Sequence, residues 1–277
     1  MSLDLDDRQR AMLQEMGVHV WLPSAAAVQE EVYTPPAKVV QQRSAPAAEA
    51  WAAPASQTET VATKPNPVPA DAVTSAGGAL ALHGLEGLAL RQAAAACQAC
   101  GLCAGRKHST LHMPDQPTQA DWLVVGDPPD EDEDRLGQPF VEQTGLLLDN
   151  MLKAVGASRT GQGRQAAYLS NVVKCRPPMG RLPQAAELAQ CAHYLHREIE
   201  LVQPKLILAM GRFAAQLLLE EHPQEAALPL GKQRGRVYHY RGVPVIVSYH
   251  PKVLLRASAD KAKAWADLCL AMDTLES

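Results

Sequence analysis

Beyond the first quarter of the chain, runs of apolar residues alternate with amphipathic segments at a steady beat. Asp121–Asp127 (DWLVVGD) reads as an apolar strand that ends in a turn. Gly145–Val155 repeats its apolar positions every three to four residues, as a helix with one buried face does. A second strand follows at Ala167–Lys174, then a long helix over Gln184–Val202, a third strand at Lys205–Met210 and a helix over Arg212–Glu220. Arg236–Tyr240 reads as a hairpin arm, Val243–Tyr249 (VPVIVSY) as a last central strand, and Ala259–Leu275 as a closing helix. Strands that are apolar at consecutive positions and separated by helices imply a parallel sheet covered on both faces. The expected fold is therefore α/β, a three-layer α/β/α sandwich around a central, mostly parallel sheet of four strands. Ligands of such folds sit at the C-terminal ends of the strands.

The N-terminal part has a different pattern. Residues 7–22 (DRQRAMLQEMGVHVWL) read as a short helix, with Met12, Leu13 and Met16 on one face and Gly17 as its stop, followed by an apolar stub ending near Trp21. Residues 23–83 are rich in Ala, Pro, Ser, Thr and Gln and hold too little large apolar surface to offset chain entropy, which predicts a disordered linker. The expected organisation is a helical peptide over 1–22, the linker over 23–83 and a folded domain over 84–277.

Charge narrows the picture only a little. Residues 1–88 carry 5 basic and 10 acidic side chains and residues 89–277 carry 21 and 20, so bulk charge does not announce a nucleic-acid binder. No run of 18 or more apolar residues exists, so no membrane span is expected, and the N-terminus lacks the apolar core of a secretion signal. A cytoplasmic location is expected, and in a reducing compartment six cysteines point to metal ligands or free thiols rather than disulfides. Cys97 and Cys100 form a C-x2-C pair, with Cys175 and Cys191 far downstream. Four such thiolates can hold zinc or an iron–sulfur cluster, and buried, unligated thiols are the other reading. For Cys103 and for Cys269, flanked by Leu268 and Leu270, ordinary thiols are expected.

Five blocks in order decide between these readings. They are Cys97, Cys100, Leu102 and Arg106 in the spacing C-x2-C-x-L-x3-R; WLVVGDPPDEDEDRLGQPFVEQTGLLLDNMLKAVG at 122–156; YLSNVVKCRPP at 168–178, followed by Cys191; LILAMGRFAAQLLL at 206–219; and SYHPKVLLR at 248–256. Together they resemble the type-4, iron–sulfur uracil-DNA glycosylases over residues 89–277. The resemblance implies an enzyme that hydrolyses the N-glycosidic bond of deoxyuridine in DNA for base-excision repair, in a bacterial, nucleoid-associated setting. It implies a [4Fe–4S] cluster on Cys97, Cys100, Cys175 and Cys191, with zinc as the lesser alternative. It places His250 and Asp127 at the catalytic step, Gly126, Phe140, Asn171 and His250 around the base, and Leu254, Leu255 and Arg256 as a wedge entering the duplex. These residue types suit the work. A stacked base must be flipped out before its sugar bond can be reached, an aromatic face and a wedge recover part of that cost, an amide can match both N3–H and O4 of uracil, and a fixed donor such as His250 can stabilise charge on O2.

The chain departs from this family's pattern in its first motif. Gly126 is followed by Asp127, Pro128, Pro129 and Asp130 where the family commonly has Gly-Glu-Ala-Pro-Gly. Pro128 removes a possible N–H donor, Asp130 puts bulk and charge in place of a glycine, Glu142 replaces another glycine, and Glu131–Asp134 is expected to form an acidic rim that opposes phosphate. The N-terminal stretch RQRAMLQEMGVHVWLP is similar to the N-terminal peptide of the psi subunit of bacterial DNA polymerase III, with Leu13, Met16 and Trp21 as partner-binding residues. That likeness implies docking on the clamp loader and, as an alternative function, a catalytically weak or inactive psi-type subunit acting in DNA replication.

Overall fold

A computed structural model describes residues 82–115 and 119–277, together with Met12 and Glu15. The expectations for Leu13, Met16 and Trp21, and nearly all of those for residues 1–22 and 23–83, fall outside the described residues. Met12 and Glu15 are both helical, and the Met12 side chain packs against the core of the folded domain.

In chain order the domain comprises α1 (Gly87–Ala96), a 3-10 turn (Gly101–Gly105), β1 (Ala120–Gly126), α2 (Glu131–Leu136), α3 (Glu142–Ala154), β2 (Gly163–Asn171), α4 (Ala185–Val202), β3 (Leu206–Met210) and α5 (Arg212–Leu218). Two short helical turns, α6 (Pro223–Ala226) and α7 (Leu230–Gln233), lead to β4 (Val237–Tyr240) and β5 (Val243–Ser248), and the chain closes with α8 (Pro251–Arg256) and α9 (Lys261–Glu276). The strands form one sheet in the order β2-β1-β3-β5-β4. The first four are parallel, as expected. The expected count of four strands is corrected to five, because the hairpin arm β4 joins the sheet antiparallel to β5, with Val237 opposite Ile246. Tyr238 and Tyr240 are buried while Val237 and His239 are exposed, so β4 seals the edge with one face only.

Period-two alternation sorts the strand side chains into two cores. Leu123, Val125, Tyr168, Ile207, Ala209, Val245 and Val247 face α1, α4 and α5. Trp122, Val124, Leu169, Leu206, Leu208, Met210 and Ile246 face α3, α8 and α9. Since consecutive residues point to opposite faces of a strand, an apolar run is what two-sided cover requires.

Register aligns the strand ends. Asn171 lies opposite Gly126, Gly126 opposite Met210, and Met210 opposite Ser248. The chain passes from β1 to β2 on one side and then to β3 on the other, so the crevice beside the end of β1 is the switch point where α/β sheets bind ligands. The expected strand Ala167–Lys174 stops early, at Asn171, because its pairing with β1 ends at Gly126 and Lys174 turns inward. The Lys174 ammonium is buried against the Glu198 carboxylate of α4 and donates to the Asn171 carbonyl at 2.8 Å, while Tyr168 and Ser170 donate to the same carboxylate at 2.8 and 2.9 Å.

Candidate functional site

At the end of β1 the chain must pass under two rings. A side chain at position 126 would put its Cβ 2.5 Å from Phe140 Cζ and 3.2 Å from His250 Nε2, so only glycine fits. Phe140 and His250 stack with ring centroids 5.2 Å apart and planes 15° from parallel. Both are buried, as is Asn171 at the end of the neighbouring strand.

The element that gathers these residues is α2. Asp130 and Glu133 form a reciprocal capping box: Asp130 Oδ1 accepts from Glu133 N at 2.9 Å, and Glu133 Oε2 accepts from Asp130 N at 2.9 Å. The Glu133 carboxylate is also buried at the centre of the site. Its Oε1 accepts from Phe140 N at 2.7 Å and from Asn171 Nδ2 at 3.2 Å, and its Oε2 accepts from Lys252 Nζ at 3.1 Å. Lys252 pairs with Asp130 Oδ2 at 2.8 Å as well. The sequence reading missed Glu133 as a site residue, although Asp130-x-x-Glu133 before a turn is the signature of a capping box. The expected acidic rim is corrected accordingly. Glu133 and Asp134 point inward, and Asp134 Oδ1 accepts from Lys107 N at 2.9 Å. Asp130, expected to bring bulk and charge to the pocket, does line the cleft, but it also caps the helix and is paired with Lys252.

Asn171 Nδ2 donates to the Asp127 carbonyl at 3.0 Å in addition to Glu133. With both amide hydrogens committed to acceptors, the orientation of the amide is fixed, and Oδ1 is left buried without a partner. The amide therefore offers an acceptor only, not the donor and acceptor expected from its type. His250 caps α8 by accepting the Lys252 N–H on Nδ1 at 3.2 Å, which puts the neutral ring's proton on Nε2. That Nε2 is likewise buried and unpartnered. Burial first, and then the Lys252 ammonium, push the His250 pKa down to about 3, with Asp130 pulling the other way. His250 is thus a neutral donor.

Asp127 is placed differently from expectation. Its Oδ1 accepts from Phe213 N at 2.7 Å and Ala214 N at 3.4 Å, so it caps α5 in place of Gly211, whose φ of +107° and close approach to this carboxylate exclude a side chain. Burial raises the Asp127 pKa, and the α5 amides oppose the rise. One oxygen of this carboxylate is thus committed to the start of α5, while the residue also lines the neighbouring cleft. Asp127, Pro128, Pro129, Asp130, His250 and Val253 line a cleft of about 460 Å³, together with Arg176, Pro177 and the stretch from Gly180 to Pro183. Phe140 and Asn171 lie beneath its floor. The expected wedge is also redistributed: Leu254 is fully buried in the core beside Trp265, whereas Leu255 and Arg256 are exposed. Glu142 adopts φ +52°, in the left-handed region that glycine occupies without strain, which accounts for a glycine being usual there.

A second, much smaller cavity, of about 10 Å³, is lined by Cys97, Cys100, Cys103, Cys175 and Cys191 with Lys174 and Tyr194. Cys97 ends α1, Cys100 opens the 3-10 turn, Cys175 follows β2 and Cys191 belongs to α4. Arg106 Nη1 donates to Cys175 Sγ at 3.2 Å, and Lys174 N donates to Cys191 Sγ at 3.3 Å. Cys103, expected to be an ordinary thiol, joins the same wall, because C-x2-C-x2-C spacing on a tight turn returns each cysteine to one side. Cys269 packs against the α3/α8/α9 core instead. Among the described residues no group of three or more His, Cys, Asp or Glu closes around a point that could hold a single metal ion.

A sequence model described as the uracil DNA glycosylase superfamily matches residues 113–269, more than half of the chain. The chain belongs to the uracil DNA glycosylase superfamily. Within this superfamily it is similar to a type-4 uracil-DNA glycosylase of Archaeoglobus fulgidus, 36% identical over 56% of this chain and 78% of that protein. Another relative, from Thermotoga maritima, is 33% identical over 60% of this chain and 82% of its own length, and one from Pyrobaculum aerophilum is 37% identical over 53% and 74%. The clamp-loader reading of the N-terminal peptide finds no support among these glycosylases. No helix among the described residues is long and apolar enough to cross a membrane.

Two predictions follow from the geometry of this glycosylase fold. Glu133→Gln sets an amide N–H against neighbours that all donate, so urea unfolding should show a loss of about 3 kcal/mol; a loss below about 1 kcal/mol would show that the carboxylate is not the hub described. His250 gives a pH signature. Its folded pKa lies below its unfolded value of 6.5, so the unfolded chain binds the extra proton. The stability due to neutral His250 is complete above about pH 6.5 and is lost as pH falls towards 3, so wild type should lose stability more steeply than His250→Gln between about pH 6.5 and 4.5.

Proposed function

We propose that this chain is a uracil-DNA glycosylase, hydrolysing the bond between uracil N1 and deoxyribose C1′ in DNA to give free uracil and an abasic site. The single observation that carries this reading is a pair of buried, unpartnered atoms at the C-terminal ends of two strands, the Asn171 Oδ1 acceptor after β2 and the His250 Nε2–H donor after β5. Buried polar atoms without partners are rare in proteins unless a ligand completes them. A base with an N–H next to a carbonyl, as at N3 and O2 of uracil, would complete both. The names of the relatives agree with this chemistry.

Asn171 would accept from N3–H. As the glycosidic bond breaks, its electron pair passes to the base and charge collects on O2, where His250 Nε2–H would donate; one such preorganised donor lowers the barrier by about 3–4 kcal/mol. A donor already neutral avoids the cost of moving a proton. Water supplies hydroxide to C1′ and a proton to the departing base. Phe140, now stacked on His250, would offer its face to the base, Gly126 lets the base come close, and the Asp127 carboxylate on the cleft wall would favour the positive sugar. Leu255 and Arg256 are the residues of the expected wedge with access to DNA.

We further propose a [4Fe–4S] cluster on Cys97, Cys100, Cys175 and Cys191. The donor set fits: thiol groups from four separate stretches of chain surround one cavity, and two N–H groups point at their sulfurs. Such a cluster would supply covalent ties between these elements rather than a redox step.

Incubation with a uracil-containing oligonucleotide should release free uracil, and His250→Ala should lower the rate about 100-fold or more; no release at enzyme excess would reject the activity. Purified protein should be brown with broad absorbance near about 400 nm and should contain iron, and Cys191→Ser should lose both; colourless protein containing zinc would reject the cluster.

A further inference from the structure

Exposed apolar side chains gather around the mouth of the His250 cleft. Leu182 and Val253, 62% and 41% exposed, line it; Met179, fully exposed, sits in the chain between the lining residues Pro177 and Gly180, and Leu255, 47% exposed, lies two residues beyond Val253. Met179 is held rather than loose. It follows Pro177 and Pro178, has φ +54° and precedes Gly180 at φ +69°. The loop is rooted by Arg181, which grips Glu187 at 2.8 and 2.5 Å, and by Arg176, which reaches Glu131 at 3.3 Å. It also lies between Cys175 and Cys191, so the same cavity anchors both of its ends.

A fully exposed methionine at the tip of a stiff turn gains nothing for the folded chain, because its apolar surface stays in water. Arg256 is exposed beside Leu255, and Arg176, Arg181 and Lys252 offset the carboxylates of Glu131, Glu187, Asp130 and Glu133, so a phosphate backbone can approach this mouth. A DNA duplex combines phosphates with an apolar gap once a base has left the stack. Resting on the DNA reading above, we infer that Met179 is a second wedge, entering the base stack at the mouth of the cleft in addition to Leu255, so that the duplex is held open at two points. A single strand has no stack to hold open. Met179 therefore serves duplex substrates specifically, whereas a residue that merely supports the cleft serves both forms.

The test is Met179→Ala, with Met179→Leu as the conservative variant, assayed under single turnover on one uracil oligonucleotide in single-stranded and duplex form. The alanine variant should lose about tenfold on the duplex and stay within about twofold of wild type on the single strand, with leucine restoring duplex activity. Equal losses on both forms, or no loss on either, would overturn the wedge. Binding separates this outcome from failure of the proposed activity. By fluorescence anisotropy, wild type should prefer a duplex containing a tetrahydrofuran abasic analogue to the intact duplex, and Met179→Ala should narrow that preference about tenfold even if wild type releases no uracil. An unchanged preference would likewise reject Met179 as a wedge.

Discussion

One buried carboxylate organises the functional end of this domain. Glu133 accepts from a loop amide at Phe140, from the side-chain amide of Asn171 at the end of β2, from the cap of its own helix at Asp130 and from the Lys252 ammonium in α8. These groups belong to separate stretches of chain, and all of them donate. A carboxylate, with two oxygens and about four lone-pair directions, is the side chain that can accept from all of them at once. Buried without partners it would be strongly disfavoured, but fully satisfied it sets the positions of the groups around it. The aromatic ring, the Asn171 amide and the start of the His250 helix thus share one fixed point.

The remaining constraints act through this point. Committing both Asn171 hydrogens to Glu133 and the Asp127 carbonyl decides which atom of the amide is left over, and the Lys252 N–H decides which nitrogen of His250 carries the proton. Neither choice is made by the residue itself. On the far side, Lys174 extends the same logic: its ammonium ties the Asn171 carbonyl to Glu198, and its backbone N–H reaches Cys191 at the cysteine cavity. The asparagine therefore stands between a carboxylate hub and a thiol-lined cavity, and a change at either would be felt through it.

The layered α/β/α fold was legible because its signals are local and periodic: apolar runs for two-sided strands and 3.6-residue repeats for helices. Membership of β4 in the sheet was not, since a four-residue arm with one buried face carries only half of a strand signal. That Gly126, Phe140, Asn171 and His250 lie together, and that the four cysteines line one cavity, could be anticipated from motif order alone. The α5 cap made by Asp127 and the burial of Leu254 could not, because a carboxylate that caps a distant helix and a leucine that turns into the core look the same in sequence as their exposed counterparts. Glu133 was hidden in an acidic run that reads as solvated surface. Only its spacing from Asp130 marked it, and that pattern predicts a cap, not a partner for Asn171.

The altered first motif takes on a different meaning once these contacts are considered. Charge at position 130, where the family commonly carries none, would oppose both a uracil leaving with negative charge and an approaching phosphate. In this chain the charge is offset in place: Lys252 bridges Asp130 and Glu133, and the Asp130 side chain completes the cap of α2. The same lysine depresses the His250 pKa and supplies the N–H that fixes its tautomer. The departure from the usual glycine thus comes with its own compensation, and the lysine that provides it lies two residues beyond the histidine it conditions. The change of motif consequently alters the charge around the pocket without giving a partner to either Asn171 Oδ1 or His250 Nε2, the two atoms proposed to meet the base.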